Sequence, residues 1–469
     1  MCGIFGIFGH PEAANLTYLG LYSLQHRGQE AAGITTFAGR EMHVQRQQGL
    51  VAEGFSVPQL AHLPGDRAIG HVRYSTAGGS DPRNAQPLTI NYRHGLLAVA
   101  HNGNLLHAQQ WRHGLEAMGA IFQTFSDTEI ILYLMSRSSQ TTLEDRICDS
   151  LHRVQGAYSL LFLNEAKLIA VRDPWGYRPL VMGRLGHAVL FASEDTAFQL
   201  VGAQLEREVA PGEMIVVDDT GIHSYFPFPT QTKRAQCIFE HVYFARPDST
   251  LFGQSVYASR VRAGERLAQE HPADADIVIP IPDSGIAAAI GYARASGIPF
   301  GLGLIRSHYV GRTFIEPTQS IRSFGVKLKL SPVREVLHGR RVVVVDDSLV
   351  RGTTSRKIMQ LIRNAGAREI HLRICSPPVT HSCFYGIDTP TQDELIGAHK
   401  TPEQIADFTT ADTLGYLSHK GLLESVDVTG TGRESFCTAC FTGLYPENPF
   451  ATMELEFPQI SNISHRTHG

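Results

Sequence analysis

Residues 342–355 read VVVVDDSLVRGTTS, and this stretch decides the fold of the second half of the chain. Four consecutive valines predict a short buried strand, and the polar residues after the two aspartates predict a loop that leads into a helix. RKIMQLIRNAGA (356–367) continues that helix, with Ile358 and Ile362 on one face and Gly366 as a natural stop. A strand that is apolar on both faces is typical of a parallel sheet covered by helices.

The same alternation of strand and helix recurs on either side of this stretch. ADIVIPIPDSG (275–285) is followed by the helix-like IAAAIGYARASG (286–297), and REIHLRICSPP (368–378) starts a third strand. We therefore expect residues 231–400 to form an α/β domain built on a parallel sheet. Ligands of such sheets collect at the carboxyl ends of the strands. The two aspartates and the PIPDSG loop both lie at that edge.

The residues that follow the valine strand have the chemistry of a phosphate and ribose site. Asp346 and Asp347 can accept hydrogen bonds from vicinal ribose hydroxyls and attract a divalent cation. The loop after them carries hydroxyl, cationic and glycine residues: Ser348, Arg351, Gly352, Thr353 and Thr354. Hydroxyls and backbone N–H groups at the start of a helix form an anion cradle. On these residues alone, a capped turn with an acidic pair facing solvent remains the alternative.

The first half of the chain has a different pattern of apolar residues. Short alternating apolar runs bounded by turn residues, such as CGIFGIFG (2–9), predict many strands with helices grouped between them. This pattern is typical of a layered α+β domain, which we place at residues 2–230. The proline-containing stretch 225–236 resembles a linker. Residues 401–469 are expected to form a C-terminal extension with a polar end.

The second residue of the chain is a cysteine that could serve as a nucleophile. Removal of Met1 would leave Cys2 with a free α-amine beside its thiol. An α-amine titrates at about 8 and a thiol at about 8.5, so the amine can take the proton of the thiol near neutral pH. One residue then supplies both nucleophile and base. An incidental cysteine at position two is the alternative.

Three further motifs favour the catalytic interpretation of Cys2. Arg73, in HVRYSTAGG, has a planar fork that fits an α-carboxylate. Asn102 and Gly103, in AHNGN, offer an amide and an unencumbered N–H group that could stabilise an oxyanion. Asp127, in SDTE, could hold an α-ammonium group. Together they describe a pocket for a free amino acid whose side-chain amide is attacked by a thiolate, which indicates glutamine.

These segments resemble known families. CGIFGI, LQHRGQEAAGI, HVRYSTAG, HNGN and SDTE resemble the glutaminase domain of class II glutamine amidotransferases, which are N-terminal-nucleophile (Ntn) hydrolases. That resemblance implies a sandwich of two antiparallel sheets between helices, with Cys2 as the nucleophile. VVVVDDSLVRGTTS resembles the phosphoribosyl pyrophosphate motif of type I phosphoribosyltransferases. It implies Mg²⁺ at Asp346 and Asp347, with Ser284 of the PIPDSG loop at the metal and pyrophosphate.

A basic, poorly periodic stretch lies between these two loops. Residues 307–330 read SHYVGRTFIEPTQSIRSFGVKLKL and predict a lid over a pyrophosphate leaving group, with Arg312, Lys327 and Lys329 as its anionic contacts. An exposed loop without a role is the alternative. Many relatives have Asn-Arg before YVGRTF, whereas this chain has Ser307-His308. One basic contact in the lid is therefore absent or pH-dependent.

The two domains in this order are similar to the amidophosphoribosyltransferase family, from CGIFGI to CFTGLYP. The resemblance implies the first committed step of purine synthesis, in which ammonia from glutamine displaces pyrophosphate from phosphoribosyl pyrophosphate to give 5-phosphoribosylamine. It also implies a homo-oligomer, a dimer or a tetramer, inhibited by purine nucleotides. The alternatives are another class II amidotransferase and a non-catalytic regulator that senses phosphoribosyl pyrophosphate. The phosphoribosyl motif disfavours the first, and the Cys2 pocket disfavours the second.

The remaining cysteines predict a metal centre. CTAC forms a C-x-x-C pair, which on its own is equally typical of a redox pair or half of a zinc site. In the iron–sulfur branch of the resembling family, cysteines in four such contexts bind a structural 4Fe–4S cluster. Here the corresponding residues are Cys237, Cys383, Cys437 and Cys440. Cys148 and Cys375 match no motif and are expected to be small buried hydrophobes.

Composition limits the remaining possibilities. The formal net charge is −4 and the pI about 6.6, so no nucleic-acid footprint is expected. No apolar run is long enough to span a membrane, and the start of the chain lacks the pattern of a secretory signal. Seven cysteines, an odd number, favour a reducing compartment, and we expect a cytoplasmic protein. Only Met1 precedes Cys2, which favours simple methionine removal over a propeptide.

Overall fold

The structure, a computed structural model, describes residues 2–74, 81–229, 233–307, 330–427 and 432–451. It divides into two compact units. The first comprises residues 1–236, 384–388 and 446–469, and the second comprises residues 237–383 and 389–445. The prediction for the C-terminal part differs from this division, which places residues 401–445 in the second unit. The physical reason is that their strand Thr413–Tyr416 is hydrogen-bonded into the sheet of that unit.

The first unit is built on two antiparallel sheets. Its strands, in chain order, are β1 Gly3–Phe8, β2 Ala31–Ala38, β3 Glu41–Gln48, β4 Arg67–Arg73, β5 Leu88–Tyr92, β6 Gly95–Leu105, β7 Gly156–Leu163, β8 Leu168–Arg172, β9 Val181–Leu185, β10 Ala188–Ala192, β11 Gln204–Glu208, β12 Met214–Asp218 and β13 Gly221–Tyr225. One sheet has the order β11-β9-β10-β1-β4-β2-β3, and the other has the order β13-β12-β8-β7-β6-β5.

Helices cover the outer faces of the two sheets. They are α1 Ala13–Ser23, α2 Val51–Gly54, α3 Val57–Ala61, α4 Ala108–Ala117, α5 Thr128–Arg137, α6 Leu143–Leu151 and α7 Thr196–Val201, with 3₁₀ turns at Gln25–Arg27 and Pro82–Asn84. Ile4 and Leu161, from different sheets, share the core between the sheets. On the outer faces, Phe5 shares a core with Leu21 of α1, and Val99 shares one with Trp111 of α4. The predicted sandwich of two antiparallel sheets between helices is confirmed.

The second unit is built on a four-stranded parallel sheet. The strands from its start onward are β14 Gln236–Cys237, β15 Thr250–Leu251, β16 Gln254–Ser255, β17 Ile277–Pro280, β18 Leu304–Arg306, β19 Leu330–Pro332, β20 Arg341–Asp346, β21 Glu369–Ile374, β22 Thr413–Tyr416 and β23 Phe436–Cys437. The parallel sheet has the order β17-β20-β21-β22. The predicted parallel sheet is therefore confirmed, and three of its four strands are the apolar runs of the sequence.

The second unit also contains eight helices within the described residues. They are α8 Val256–Glu270, α9 Ile286–Ser296, α10 Arg334–Leu337, α11 Thr353–Asn364, α12 Ile396–His399, α13 Pro402–Thr409, α14 His419–Val426 and α15 Ala439–Thr442, with a π-helical turn at Glu240–Phe244 and 3₁₀ turns at Gln392–Glu394 and Arg433–Ser435. α8 and α9 approach closely because both carry a glycine at the crossing. A Cβ at Gly264 would lie 1.8 Å from the Ala288 carbonyl oxygen.

The register of the sheet places two loops side by side. Pro280 of β17 lies opposite Val345 of β20, so both strands end at the same edge. The PIPDSG loop and the loop from Asp346 onward therefore leave the sheet as neighbours. In the described parts of the chain, no helix is both long enough and apolar enough to cross a bilayer.

Candidate functional site

Cys2 lies where the two sheets of the first unit meet. It directly precedes β1, whose pairing with β4 sets Gly3 opposite Val72 and brings Cys2 beside the end of β4. Its thiol lies 3.7 Å from the carbonyl oxygen of Tyr74. Its backbone nitrogen donates to Oδ1 of Asn102, 3.3 Å away on β6 of the other sheet. Two predicted site residues separated by 100 positions are thus in direct contact.

A buried ion pair holds the backbone of Cys2. Nε of Arg27 donates to the Cys2 carbonyl oxygen at 3.0 Å, and its Nη1 donates to Oε1 of Glu194 at 2.5 Å. His26 also contacts this carboxylate, at 2.7 Å. Arg27 and Glu194 are fully buried, and breaking such a pair leaves an uncompensated charge. The sequence analysis did not single out these residues, although Arg27 lies within LQHRGQ.

Asn102 and Gly103 occupy consecutive positions on β6. Asn102 is fully buried, and its Nδ2 lies 3.5 Å from the hydroxyl of Ser193. A Cβ at Gly103 would lie 2.0 Å from the Ala157 carbonyl oxygen, so only glycine fits this position. The amide of Asn102 therefore contacts Cys2 directly, and the N–H group of Gly103 is the next donor along the strand.

Arg73 and Asp127 are both buried and both already engaged. Arg73 ends β4, and its Nη1 lies 3.5 Å from Oε2 of Glu30. Asp127 directly precedes α5, and its Oδ2 accepts a hydrogen bond from the Leu105 N–H at 2.8 Å. Its Oδ1 lies 3.7 Å from Nδ1 of His101.

His101 and Asp127 form a buried pair, and each shifts the pKa of the other. Burial would raise the pKa of Asp127, but the charge and hydrogen bond of His101, together with backbone N–H donors, outweigh it and lower that pKa. Burial would lower the pKa of His101, but Asp127 outweighs it, with smaller contributions from the Ala157 carbonyl and Cys2, and that pKa is raised. His101 is a further site residue that the sequence motifs did not indicate, although it precedes Asn102 in AHNGN.

In the second unit, Asp346 ends β20 and Asp347 opens the loop. The N–H of Asp347 donates to Oδ1 of Asp346 at 3.0 Å, and the hydroxyl of Ser348 donates to Oδ2 of Asp347 at 2.5 Å. Burial and the neighbouring carboxylate raise the pKa of Asp346. Burial also raises the pKa of Asp347, although Ser284, Ser348 and Arg260 act in the opposite direction. The structure thus brings Ser284 of the PIPDSG loop to Asp347.

The loop ends in the start of helix α11. Gly352 has a φ of +73°, which favours glycine, and a Cβ there would lie 3.1 Å from Ile396. Thr353 and Thr354 are exposed in the first turn, where backbone N–H groups lack partners within the helix. Arg351 is exposed and pairs with Glu394 at 3.1 Å. This geometry is suited to an anionic ligand.

Two arginines that the sequence analysis missed support these loops. Arg260 of α8 is buried and donates to the carbonyl oxygens of His241 and Ala245, both at 2.8 Å. Arg306, just before Ser307, lies 2.5 Å from Asp283 of the PIPDSG loop. The predicted lid contacts lie outside the described residues: His308, Arg312, Lys327 and Lys329.

The four predicted metal-ligand cysteines all lie in the second unit. Cys237 and Cys437 lie on β14 and β23, which pair into a two-stranded sheet. Cys440 lies in α15, and its carbonyl oxygen accepts from the N–H of Thr380 at 3.0 Å, three residues before Cys383.

These thiols influence one another electrostatically. Burial raises the pKa of Cys440, and the charges of Cys383, Cys237 and Cys437 raise it further. Burial and three of these thiols also raise the pKa of Tyr445 to about 12. No three histidine, cysteine, aspartate or glutamate side chains within the described ranges gather closely enough to hold a single metal ion.

Two protein-family models match the chain, one in each unit. Residues 71–200 match the glutamine amidotransferase domain family, and residues 255–375 match the phosphoribosyl transferase domain family. The chain is therefore a glutamine amidotransferase joined to a phosphoribosyltransferase.

Relatives match over nearly the whole chain. The chain is 55% identical to amidophosphoribosyltransferase 1, chloroplastic, of Arabidopsis thaliana, over 96% of this chain and 79% of that protein. It is 50% identical to amidophosphoribosyltransferase of Bacillus subtilis, over 95% and 94%. The solved structure of glutamine phosphoribosylpyrophosphate amidotransferase from B. subtilis, complexed with ADP and GMP, matches with a TM-score of 0.91 and 48% identity, covering 97% and 99% of the two chains. The chain belongs to the amidophosphoribosyltransferase family.

Proposed function

We propose that the first unit hydrolyses glutamine and that the second uses the ammonia to displace pyrophosphate from phosphoribosyl pyrophosphate. As a member of its family, the chain catalyses the first step of purine biosynthesis. The contact between Cys2 and Asn102 is the main observation that supports the roles proposed for the residues of the glutamine site. It places the side-chain amide of Asn102 beside the nucleophile, across the two sheets.

In the first half-reaction, Cys2 is the nucleophile. Removal of Met1 turns its backbone nitrogen into an α-amine, which takes the proton of the thiol. The thiolate attacks the side-chain amide carbon of glutamine. The Asn102 amide and the Gly103 N–H group stabilise the oxyanion that forms. The proton passes to the leaving nitrogen, ammonia departs, and water then cleaves the thioester to release glutamate.

Two buried charges bind the α-groups of the glutamine substrate. Arg73 binds the α-carboxylate through its planar fork. Asp127 binds the α-ammonium group, and its lowered pKa keeps it ionised for this role. His101 lies behind Asp127 and fixes its orientation.

In the second half-reaction, the loop at the end of β20 binds the phosphoribosyl donor. Asp346 and Asp347 accept hydrogen bonds from the ribose hydroxyls. A phosphate of the donor is bound by the hydroxyls, the cation and the backbone of the following loop, namely Ser348, Arg351, Gly352, Thr353 and Thr354. The pyrophosphate is covered by the lid residues Arg312, Lys327 and Lys329. Ammonia forms the new bond at C1 of the ribose, and pyrophosphate leaves.

The residues at this loop fit a Mg²⁺ ion. Two buried carboxylates and the Ser284 hydroxyl converge there, and Mg²⁺ takes one or two carboxylates together with substrate phosphates. Ser284, Asp346 and Asp347 would hold it. When bound, the ion neutralises the charge that develops on the pyrophosphate.

We also propose that the chain belongs to the iron–sulfur branch and that Cys237, Cys383, Cys437 and Cys440 hold a structural 4Fe–4S cluster. The mutual effect of these thiols on the pKa of Cys440 supports this ligand set. Each iron of such a cluster takes one thiolate. Four thiolates are therefore the ligand set that the cluster needs. The cluster would cross-link the start, middle and end of the second unit.

Three further properties are proposed for this chain: inhibition by nucleotides, assembly into an oligomer and a location in the cell. The matched B. subtilis structure is complexed with ADP and GMP, and purine nucleotides are proposed to inhibit this chain as well. We propose a homo-oligomer, a dimer or a tetramer. A cytoplasmic location stays a prediction, because the plant relatives are named as chloroplastic.

The test separates the two half-reactions with one variant. Cys2→Ala is expected to lose phosphoribosylamine formation from glutamine but to keep formation from ammonia at alkaline pH, where ammonia is unprotonated. Cys148→Ala, at a thiol outside both sites, should keep both activities. Glutamine-dependent product from Cys2→Ala would overturn the assignment of the nucleophile.

A further inference from the structure

A five-residue loop of the chain leaves the second unit and joins the first. Phe384–Asp388 belongs to the first unit, whereas the residues on both sides of it belong to the second. The residues that flank this loop on either side belong to the second unit and are hydrogen-bonded to each other. The N–H of Cys383 donates to the hydroxyl of Thr389 at 2.6 Å, and the hydroxyl of Ser382 donates to the Pro390 carbonyl oxygen at 2.8 Å.

The tip of the loop packs against the strand that carries the oxyanion residues. Nδ2 of Asn104 donates to the Phe384 carbonyl oxygen at 2.9 Å. A Cβ at Gly386 would lie 3.1 Å from the carbonyl carbon of Gly103 and 3.2 Å from its oxygen, and also 3.1 Å from Nη2 of the Arg178 side chain. The φ of Gly386 is +101°, a conformation that favours glycine, and an added methyl group would crowd the Gly103 carbonyl.

The loop is held rigidly in this position. Nε of the fully buried Arg178 donates to the Tyr385 carbonyl oxygen at 3.0 Å. The Tyr385 ring stacks on Tyr177 with a centroid distance of 4.3 Å and an interplanar angle of 16°. Its hydroxyl donates to the Glu447 carbonyl oxygen at 2.6 Å. Charge-assisted and aromatic contacts thus fix the backbone that faces Gly103.

We infer that Phe384–Asp388 is a positioning element of the glutamine site: Gly386 packs on the carbonyl group of Gly103, fixes the Gly103–Asn104 peptide and thereby limits the backbone freedom of the residue that donates to the oxyanion. Gly103 has no side chain to anchor it, and glycine is the residue with the greatest backbone freedom. An oxyanion donor contributes to catalysis only when its direction is fixed before the reaction. The Gly103 backbone lies between Ala157 on one side and Gly386 on the other. This inference rests on the oxyanion role proposed above for Gly103.

Gly386→Ala tests the inference, with Gly221→Ala as the matched control. Gly221 has a φ of +131°, but a Cβ at this residue would meet nothing within 4 Å, so the control carries the backbone strain without the contact. For Gly386→Ala we expect the kcat of glutamine hydrolysis to fall roughly 10- to 100-fold, because a donor is misaligned in the transition state. The KM for glutamine should stay within about twofold, since binding of the ground state is untouched. Ammonia-dependent activity should match that of the wild type.

Asn104→Ala provides a second variant that introduces no backbone strain. It removes the hydrogen bond to Phe384 and should lower kcat in the same direction, again without a change in KM. Wild-type kcat in both variants, or a rise in KM with unchanged kcat, overturns the inference. If the wild-type protein itself releases no glutamate, the proposed function fails instead, so the two failures are distinguishable.

Discussion

Glu447 gives the first unit a pH-dependent stability. Its Oε2 accepts hydrogen bonds from the Gly156 N–H at 3.1 Å and from the Tyr177 hydroxyl at 3.4 Å. Burial and the charge of Asp173 raise the pKa of Glu447 from 4.5 to about 7. Burial raises the pKa of Asp173 itself from 3.8 to about 6. Two buried carboxyls therefore hold protons that the unfolded chain releases.

The sign and size of the effect follow from this shift. Between pH 4.5 and 7 the folded state keeps a proton on Glu447 that the unfolded state has lost. The free energy of unfolding therefore falls as pH rises through this window. A shift of about 2.5 pKa units corresponds to about 3 kcal/mol. Glu447→Gln keeps an acceptor oxygen but cannot ionise, so the variant should be more stable than the wild type by up to about 3 kcal/mol at pH 8, with little difference at pH 5.

Tryptophan fluorescence during urea unfolding measures this difference. The chain has two tryptophans, Trp111 and Trp175, and both lie in the first unit, so their signal reports that unit. Glu165→Gln removes an exposed carboxylate of the same unit and should follow the wild type at both pH values. A stability difference between Glu447→Gln and wild type that is equal at pH 5 and pH 8 would refute the reasoning.

Three further outcomes are expected. Gly103→Ala sets a methyl group 2.0 Å from the Ala157 carbonyl oxygen, so the kcat of glutamate release should fall about 10²- to 10³-fold while ammonia-dependent activity persists; loss of both would point to misfolding instead. Asp347→Asn removes a buried carboxylate from the donor loop, and calorimetric titration should show weakened binding of phosphoribosyl pyrophosphate, whereas unchanged binding contradicts its role. Wild-type protein purified without oxygen should contain about four irons per chain, and Cys437→Ser should contain fewer; stoichiometric zinc in the wild type would contradict the cluster.

Local patterns predicted much of the second unit. The apolar runs became the strands of the parallel sheet, and the loop after Asp347 leads into a helix at Thr353. The strand Thr413–Tyr416 was not predicted, because an edge strand of four residues has little periodicity. That omission explains why residues 401–469 were expected to form a separate extension.

Local sequence patterns could not predict the contacts within the first unit. Arg27 contacts Cys2 and Glu194, and His101 contacts Asp127, only because the folded chain brings these separate segments together. These pairs are 25, 167 and 26 positions apart, and the periodicity of a single sequence carries no signal for such contacts. The motif HNGN identified the strand, but not the loop at Gly386 that packs against it.

The most direct test of the account follows glutamate and pyrophosphate together. Glutamate release from glutamine is measured with and without phosphoribosyl pyrophosphate and Mg²⁺, while pyrophosphate is followed in the same reaction. The account predicts that glutamate release rises with the phosphoribosyl donor and that pyrophosphate appears in step with it. If the rate of glutamine cleavage does not change when the phosphoribosyl donor is added, and no pyrophosphate forms, the second unit is not a phosphoribosyltransferase.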